Sequence, residues 1–533
     1  MIICDGLKYI FIIILIALIG FAAYSLYSIP EEQNIKNEIS GNYEQIKTDI
    51  LTELRLGITD FDTMNPILSK NKNIQFYDKL IFESLLTVEQ DFSLSPCLAT
   101  EYSKTGDKSY IIKLRENVMW SNGKEFTAKD VQYTIELLKS GLDSIYINNV
   151  QDIDNIEVID DYTIKINLLK ETPFFEYNLI FPIMSSQYYS ETYFKTDELT
   201  PMGTGMYKID SIGSSYIHLS PNELWWNKEK LPKIEKITIN LYNNLGENLN
   251  AFKIGNIDLL VTANVNFEDY IGTIGFQNKT FKGREYDFLA INTSNNILNK
   301  LEVRQAINWG IDRNNIVASI FNNKTIIMNN NLDIGSWLYN ASNIQNEYNV
   351  ENAQNALIKK GWIITSRQWQ KVEDNKTLKT TFDLIVNSSN SERIAVAENI
   401  KNQLANIGII INIQKVNDLT YNNYIENKNY DILLTGTNIS INPNLQLYFG
   451  SNNLANYTNE EINRKITEVK NVTDKQLLKE KYNEIQEITN KEMVYIPLYI
   501  NKNVLLYSSN LVGDVSPTWY NIFYNIENWY KQN

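Results

Sequence analysis

Pairs of carboxylates are the first feature of this sequence that could carry chemistry. Asp60 and Asp62 lie two residues apart in a turn-rich stretch, and Glu484 and Glu487 lie three apart, on one face of a helical pattern. Two carboxylates at a suitable separation are all that most glycoside hydrolases need. The chain has 63 acidic residues, however, so such pairs are unavoidable. Neither pair differs from an ordinary solvated surface, so the sequence favours a protein that is not an enzyme, with an extracellular carboxylate hydrolase as the least favoured alternative.

The single histidine restricts catalysis and metal binding further. A Ser-His-Asp or Cys-His triad would have to use His218, which lies in the alternating strand pattern Tyr216–Leu219, with Ser220 as the neighbouring candidate nucleophile. This setting is typical of a histidine on a sheet surface or in a core. Zinc and nickel sites that need two or more imidazoles are excluded.

Charge and cysteine content bound the class of partner. The net charge of −14 argues against nucleic acid or an anionic membrane surface as the partner. Cys4 and Cys97 are the only cysteines, and they provide no disulfide within a domain, so Cys97 is predicted to be a small buried hydrophobe. No P-loop or dinucleotide fingerprint occurs, and we expect no cofactor and no metal.

The N-terminal segment predicts where the protein works. Residues 9–29 are uncharged and apolar, and about 20 such residues cross a bilayer as a helix. Lys8 before the run and two glutamates after it keep the amino terminus in the cytoplasm. The length favours an uncleaved anchor, with a cleaved signal ending near Ala23–Ser25 as the alternative. Residues 31–50 are polar and predict a linker, and the globular part faces outward.

The elements that would position a site indicate a mixed α/β chain. Leu54–Ile58 alternates as a strand, the Asn122-Gly123 pair predicts a hairpin turn, and Thr127 with Asp130 predicts a capped helix start. Asn299 with Glu302 predicts a second capped start.

A βαβ unit is the clearest pattern of the second half. Phe382–Val386 predicts a buried strand, Ser391–Ile407 a helix ended by Gly408, and Ile409–Ile413 the next strand. Tyr430–Leu434 predicts another. Ligands of parallel sheets bind beyond the strands' carboxyl ends, which points to Thr435–Asn444.

Several segments, in chain order, resemble motifs of the extracellular solute-binding proteins of family 5, the peptide- and nickel-type receptors of ABC importers. The resemblance extends from about residue 54 to 505. The segments are Leu94–Glu101, Tyr110–Arg115, Trp120–Val131, Gly203–Ile209, Asn222–Trp226, Val303–Arg313, Asn456–Asn463 and Pro497–Tyr499.

The resemblance implies an α/β, two-lobed periplasmic-binding-protein-like (type II) fold with an additional small domain, here behind an N-terminal transmembrane helix. A hinge would let the lobes close on a solute. The implied division is 1–30 anchor or signal, 31–50 linker, 51–83 with 200–286 and 503–533 lobe I, 84–199 the extra domain, and 287–502 lobe II.

Peptide-binding members of this family hold the ligand backbone as an added strand, which tolerates varied side chains. Carried over to this chain, the resemblance implies two binding segments, one in each lobe. Their residues are Thr59, Asp60, Phe61 and Asp62 in the first lobe, and Gly436, Thr437, Asn438, Ile439 and Ser440 in the second.

The chain departs from the family pattern at two of these positions. Ser440 stands where peptide-binding members carry an aspartate for the ligand's α-amine, and Thr437 stands where they carry a tryptophan. Asp60 or Asp62 could substitute for that aspartate. An unpaired ammonium in a closed cleft costs several kcal/mol, so recognition of a free amino terminus is open.

Nickel is disfavoured as a ligand, because the chain offers only His218 for chelation. An oligosaccharide is the alternative ligand, and Tyr421, Tyr424 and Trp337 are the candidate aromatic residues for stacking on its sugar rings.

The sequence therefore predicts a bacterial receptor on the outer face of the cell membrane that binds a peptide or other small solute. Its partners would be an ABC permease and ATPase complex, with the membrane reached through the N-terminal helix and with the receptor itself monomeric. A sensory receptor of the same fold is the alternative.

Overall fold

The computed structural model describes residues 52–189, 200–263, 266–343, 347–470 and 472–532. The predicted anchor at 1–30 and linker at 31–50 lie outside the described residues. Among the helices described, none is both long and apolar enough to span a bilayer.

The strands are numbered in chain order, and many of them follow one another with no α-helix between them. They are β1 (Glu53–Thr59), β2 (Leu86–Val88), β3 (Leu94–Pro96), β4 (Ala99–Gly106), β5 (Ser109–Leu114), β6 (Ile153–Asp160), β7 (Thr163–Leu168), β8 (Tyr207–Ile212), β9 (Tyr216–Pro221), β10 (Lys236–Tyr242), β11 (Leu259–Thr262), β12 (Phe276–Ile291), β13 (Thr325–Ile327), β14 (Ile363–Thr365), β15 (Gln368–Glu373), β16 (Lys376–Lys379), β17 (Thr381–Asn387), β18 (Ile410–Val416), β19 (Ile432–Asn438), β20 (Tyr495–Ser508), β21 (Leu511–Val512) and β22 (Tyr530–Lys531).

The α-helices are numbered in the same way. They are α1 (Lys72–Ile81), α2 (Ala128–Lys139), α3 (Ile147–Val150), α4 (Leu245–Lys253), α5 (Leu301–Trp309), α6 (Arg313–Ser319), α7 (Val350–Ile358), α8 (Ser391–Asn406), α9 (Asp418–Asn427), α10 (Gln446–Phe449), α11 (Glu460–Val469) and α12 (Lys475–Glu492).

A four-stranded sheet in the order β1-β10-β9-β8 carries the first of the predicted binding segments. β1 is an edge strand that runs parallel to β10. Its apolar residues Leu54, Leu56 and Ile58 are fully buried, as the alternation predicts. The strand ends at Thr59, so the predicted segment Thr59–Asp62 begins where the sheet stops.

A buried ion network joins this sheet to the end of the described chain. Asp258, just before β11, is fully buried and accepts hydrogen bonds from Arg55 Nη2 at 2.8 Å and Lys531 Nζ at 2.7 Å. The Arg55 backbone N–H also donates to Asp258 Oδ2 at 2.7 Å. Two cations around one carboxylate compensate its charge, which an interior position requires.

A second, antiparallel sheet has the order β4-β5-β7-β6 and, like α2, lies within residues 84–199, the predicted extra domain. The Asn122-Gly123 turn is confirmed, with Gly123 N–H donating to Trp120 O at 2.8 Å. The start of α2 is confirmed as well, because Thr127 N–H donates to Asp130 Oδ2 at 2.9 Å.

The largest sheet has the order β11-β20-β12-β19-β17-β18, with β13 beside β20. Within it, β17, α8 and β18 form the predicted βαβ unit with parallel strands. Gly408 follows α8 with a φ of 84°, the left-handed cap position that glycine adopts without strain. Helix α8 ends at Asn406, one residue before the predicted end.

One predicted helix start is wrong. α5 begins at Leu301 with Lys300 as its N-cap, and Lys300 makes no capping hydrogen bond through its side chain. Asn299 instead accepts a hydrogen bond from Arg304 Nη1 at 2.8 Å through its backbone carbonyl. The Arg304 guanidinium, held also by Glu492 at 3.0 Å, sets the start of this helix by a tertiary contact.

The two longest strands, β12 and β20, pair with each other along the middle of the large sheet. The predicted lobe boundaries at residues 286 and 502 fall inside them. Their register shifts between Lys282 and Tyr286, where Asn501 Oδ1 accepts a hydrogen bond from Glu285 N–H at 2.9 Å. Such irregularities mark where a sheet bends.

Candidate functional site

The second predicted segment, Gly436–Ser440, continues β19 and the loop after it. The strand runs on to Asn438, beyond the predicted end at Leu434, because β12 pairs with it as far as Glu285. Ile439 N–H then donates to Arg284 O at 2.8 Å, and Arg284 Nε donates to Ile439 O at 3.2 Å. These hydrogen bonds hold the segment on β12, at the point where the register of β12 against β20 shifts.

The second half of β19 has an unpaired edge. β17 pairs only with Ile432 and Leu433, and no other described strand continues along that side. Tyr421 OH donates to Leu434 O at 2.8 Å on this edge. The main-chain groups of successive strand residues point to alternate edges, so those of Gly436 and Asn438 share the edge of Leu434. These groups can accept an added strand.

Gly436 is required by a buried ion pair beneath the strand. Asp287, which is 8% exposed, accepts hydrogen bonds from Arg393 Nε at 2.9 Å, Arg393 Nη2 at 2.6 Å and Tyr499 OH at 2.9 Å. A Cβ on Gly436 would collide with Asp287 Oδ1 and Arg393 Nη2. Burial lowers the pKa of Arg393, but its bonds to Asp287 outweigh burial, and the net pKa is raised.

A cavity of about 140 Å³, here named the Phe92 cavity, lies against the same segment. It brings together the loop after β19, a loop before α7 and Phe92 from the first half of the chain. Its lining residues are Phe92, Asn331, Leu332, Asp333, Ser336, Thr437, Asn438, Ile439, Ser440, Ile441, Asn442, Pro443, Asn444, Leu445, Leu447 and Tyr448.

Asp333 is the one charged residue among the residues that line the Phe92 cavity, all of which the structure describes. It is 5% exposed. Its Oδ1 accepts hydrogen bonds from Lys282 Nζ and from Gly335 N–H, the latter at 2.7 Å. Its Oδ2 is buried and has no hydrogen-bond partner among the described residues. Lys282 Nζ also lies 4.8 Å from the centre of the Phe92 ring.

The first predicted segment, Thr59–Asp62, lies in a loop between β1 and α1. Asn71 Nδ2 donates to Thr59 O and to Asp60 O, both at 2.9 Å. Asp60 is exposed with a φ of 52°, and Phe61 is half-buried. None of these four residues lines the Phe92 cavity, so the structure does not bring the two predicted segments together there.

The carboxylate of Asp62 is occupied by its own loop. It accepts hydrogen bonds from Ser69 Oγ at 2.8 Å and from the backbone N–H groups of Thr63 at 2.8 Å, Lys70 at 2.7 Å and Asn71 at 3.3 Å. Partial burial raises the pKa of Asp62, but these hydrogen bonds outweigh it and the net pKa is lowered. Asp62 therefore orders the chain before α1.

Contacts across the molecule lie beside the cavity. Trp337 N–H donates to Asp91 O at 2.8 Å, and its Nε1 donates to Tyr177 OH at 3.4 Å. The rings of Phe174 and Tyr482 are 6.3 Å apart. Trp337, a candidate stacking aromatic, therefore joins the loop before α7 to residues of the predicted extra domain, 84–199.

The other residues singled out in the sequence lie elsewhere. Tyr421 is buried beneath β19, and Tyr424 lines a separate polar pocket of about 650 Å³. His218 contacts Thr238 Oγ1 at 3.0 Å, and its ring centre lies 4.4 Å from that of Tyr216 at a tilt of 32°. Burial, followed by the Lys236 charge, lowers the pKa of His218. Within the described ranges, no cluster of three His, Cys, Asp or Glu side chains could hold a metal.

Sequence reasoning missed Asp333, Lys282 and Phe92. Asp333 lies in the polar stretch Asn329–Gly335, which reads as an ordinary loop. Lys282 is 51 residues away in sequence and Phe92 is more distant still. No local pattern could have indicated that they meet.

Comparison with known proteins shows which family this chain belongs to. The family model for bacterial extracellular solute-binding proteins, family 5, matches residues 93–459. The peptide transport periplasmic protein SapA of Haemophilus influenzae is 24% identical over 493 residues, which cover 79% of this chain and 83% of that protein. The oligopeptide-binding protein AppA of Bacillus subtilis is 24% identical over 482 residues, covering 85% and 86%.

The fold is also found in a solved structure. HbpA2 from Haemophilus parasuis superposes with a TM-score of 0.75 at 19% identity, covering 90% of this chain and 100% of that one. With a family model that matches most of its length, this chain belongs to the bacterial extracellular solute-binding proteins of family 5, which bind substrates for ABC transporters and are not enzymes.

Proposed function

We propose that this protein is an extracytoplasmic receptor that binds oligopeptides and delivers them to an ABC importer by hinge closure. The observation that carries the proposal is the unpaired edge of β19 beside a cavity built from both halves of the chain. The names of SapA, a peptide transport protein, and AppA, an oligopeptide-binding protein, agree with a peptide as the solute.

The peptide binds as an added strand. Gly436 and Asn438 offer main-chain donors and acceptors on the free edge, and the Phe92 cavity beside them receives a side chain or chain end. Thr437, Ile439 and Ser440 line that cavity. Main-chain recognition is indifferent to ligand side chains, so the receptor accepts varied sequences.

The first segment contributes main-chain groups in the same way. Thr59 and Asp60 lie where β1 leaves its sheet, and the half-buried side chain of Phe61 gives the peptide an apolar surface to contact. Asp62 keeps this loop in shape through its four local hydrogen bonds. The peptide backbone bridges this segment and the β19 edge when the lobes close.

Closure takes place at β12 and β20, the two strands that carry the predicted lobe boundaries. Their register shift at Lys282–Tyr286 supports a bend at this level. Lobe I comprises 51–83, 200–286 and 503–533, the extra domain 84–199, and lobe II 287–502. A ligand shifts the population to the closed form only if it binds that form more tightly.

The receptor works on the outer face of a bacterial cell membrane, as a monomer tethered through residues 1–30. The closed form presents the surface that a permease and ATPase complex recognises. A sensory role for the same receptor is the alternative, and recovery of a permease with the full chain from detergent-solubilised membranes separates the two.

The test of the proposal is ligand capture by the purified full chain. We expect a pool of random pentapeptides to raise the melting temperature, and mass spectrometry to identify retained peptides. Oligosaccharides and nickel are added to the protein in separate, parallel melting experiments. If peptides leave the melting temperature unchanged and one of these other solutes raises it, the peptide assignment is wrong.

A pair of proline variants tests the strand-addition mode. Asn438→Pro removes an N–H from the free edge without breaking the pairing to β12. Ile439→Pro removes the N–H that bonds Arg284 O. We expect the first to keep the melting temperature and lose peptide capture, and the second to lower the melting temperature. Peptide capture by Asn438→Pro at the wild-type level would contradict strand addition at β19.

A further inference from the structure

We infer that the Phe92 cavity recognises an uncharged N–H donor of the peptide ligand through Asp333, so that the receptor needs no free amino terminus. This rests on the proposed peptide-binding function and specifies its ligand class. Peptides with blocked amino termini, and internal peptide segments, bind as well as peptides with a free amine.

The first step is the unsatisfied oxygen of Asp333. A buried acceptor without a donor is unfavourable, and native proteins rarely leave one without a reason. Oδ1 is bound by Lys282 and Gly335, whereas Oδ2 has no described partner although the residue lines the cavity. Oδ2 itself is shielded from the cavity, so a ligand N–H pairs with it only when the Asp333 side chain turns this oxygen toward the ligand, and that hydrogen bond removes the penalty.

The second step is charge. Lys282 already compensates the Asp333 carboxylate, and both side chains are largely buried. A ligand ammonium would therefore meet a neutral pair, with no net negative charge to offset its lost hydration. A neutral amide N–H makes the same hydrogen bond and carries no such desolvation penalty.

The remaining charges near the cavity do not alter this balance. Arg284 and Glu285 are consecutive, exposed residues of β12 beside the loop, and their charges oppose each other. Ser440, which lines the cavity, contributes a hydroxyl and no charge. The polar lining at Thr437, Asn438 and Ser440 is neutral, which suits a peptide backbone.

Competitive capture tests the inference on the full chain. The protein is incubated with equal amounts of random pentapeptides with free and with acetylated amino termini, and the retained peptides are quantified by mass spectrometry. We expect an acetylated-to-free ratio within about threefold of one. A ratio below about one tenth would overturn the inference, because it would show that an ammonium is recognised.

Two variants connect the ratio to the ion pair. Lys282→Met leaves the Asp333 charge uncompensated, so we expect the ratio to fall about tenfold in favour of free amines. The double variant Asp333→Asn with Lys282→Met keeps the pair neutral but removes the carboxylate. We expect its total retained peptide to fall about tenfold, which corresponds to about 1.4 kcal/mol, with the ratio still near one.

Asp374→Asn is the matched control, the same chemical change on an exposed turn between β15 and β16. It should behave as the wild type. A double variant that retains as much peptide as this control would overturn the role of Asp333 while leaving the proposed function intact. If the wild type retains no peptide of either kind, the proposed function fails and the inference with it.

Discussion

Two loops of this protein differ in how their aspartate carboxylates are used. Asp62, in the loop after β1, is exposed, yet hydrogen bonds from Ser69 and three backbone N–H groups occupy it. Asp333 is buried, yet one of its oxygens has no partner. Exposure is therefore a poor guide to availability, because a surface carboxylate can be fully engaged by its own loop.

The same contrast separates β1 and β19, the strands that lead into the two predicted binding segments. β1 is an edge strand, but the Asp258 carboxylate accepts a hydrogen bond from Arg55 N–H, and Asn71 Nδ2 donates to the carbonyls of Thr59 and Asp60 at the end of the strand. β19 is internal to its sheet, but its second half lies beyond the reach of β17. The strand with the better position for adding a peptide is the internal one.

Of the substitutions considered, Gly436→Val should destabilise β19 and the residues beneath it most severely. The new side chain must displace the Asp287–Arg393 pair beneath β19, and disrupting a buried ion pair lowers the free energy of unfolding by about 3 kcal/mol. Urea denaturation measures this. Gly246→Ala, in the first turn of α4, is the control and should change little. Equal effects of the two would show that the pair under β19 can move aside.

Asp62→Asn tests the loop after β1, the other region of this comparison. Loss of charge-assisted hydrogen bonds should lower the free energy of unfolding by about 1 to 2 kcal/mol while leaving peptide capture intact. Asp60→Asn, two residues away and exposed, is the control and should be nearly neutral. A loss of peptide capture with unchanged stability would instead make Asp62 a ligand contact.

The same variant has a defined pH dependence. The pKa of Asp62 in the folded state is below its ordinary value of 3.8, so the carboxylate stabilises the fold above that pH. The stability difference between wild type and Asp62→Asn should be full near neutral pH. It should disappear as the pH falls below 3.8 through the folded-state pKa. A difference that persists in acid would mean that hydrogen bonding to the ionised form is not its origin.

Tyr421→Phe probes the free edge of β19 more gently. It removes the hydroxyl that donates to Leu434 O, which should cost about 1 kcal/mol of unfolding free energy. Faster amide exchange at Thr435 and Thr437, whose N–H groups face β12, should accompany it. Tyr424→Phe, on the same helix, should produce neither change.

His218→Gln provides the baseline outside both regions. His218 lies in β9 and contacts Thr238. We expect a change in unfolding free energy within about 0.5 kcal/mol, as for most surface substitutions, and unchanged peptide capture. A loss of capture would place the ligand at the first sheet and away from β19.

Local sequence signals predicted the elements whose structure is decided locally. The helix after Ser391, its stop at Gly408 and the turn at Gly123 all follow from periodicity and glycine conformation. The end of β19 could not be predicted in this way, because β12 extends it from Leu434 to Asn438. The start of α5 was missed for the same reason, since Arg304 reaches across to Glu492.

The candidate site shows the same difference between residues that the sequence indicates and residues that only tertiary contacts reveal. The two segments around Asp60 and Gly436 came from the resemblance to the family, and their role in binding stays a prediction. Asp333 could not come from the sequence at all, because its significance depends on the cation 51 residues away and on which oxygen that cation leaves free.

The network around Asp258 has a consequence for how the chain is made. Its second cation is Lys531, whose side chain is fully buried, and it arrives nearly 480 residues after Arg55. During synthesis on the ribosome, the Asp258 carboxylate beside β1 is therefore incompletely compensated until the segment that contains Lys531 has emerged. We expect a chain cut short before Lys531 to leave Asp258 with Arg55 as its remaining cation of this network, and to be digested faster by a protease than the full chain.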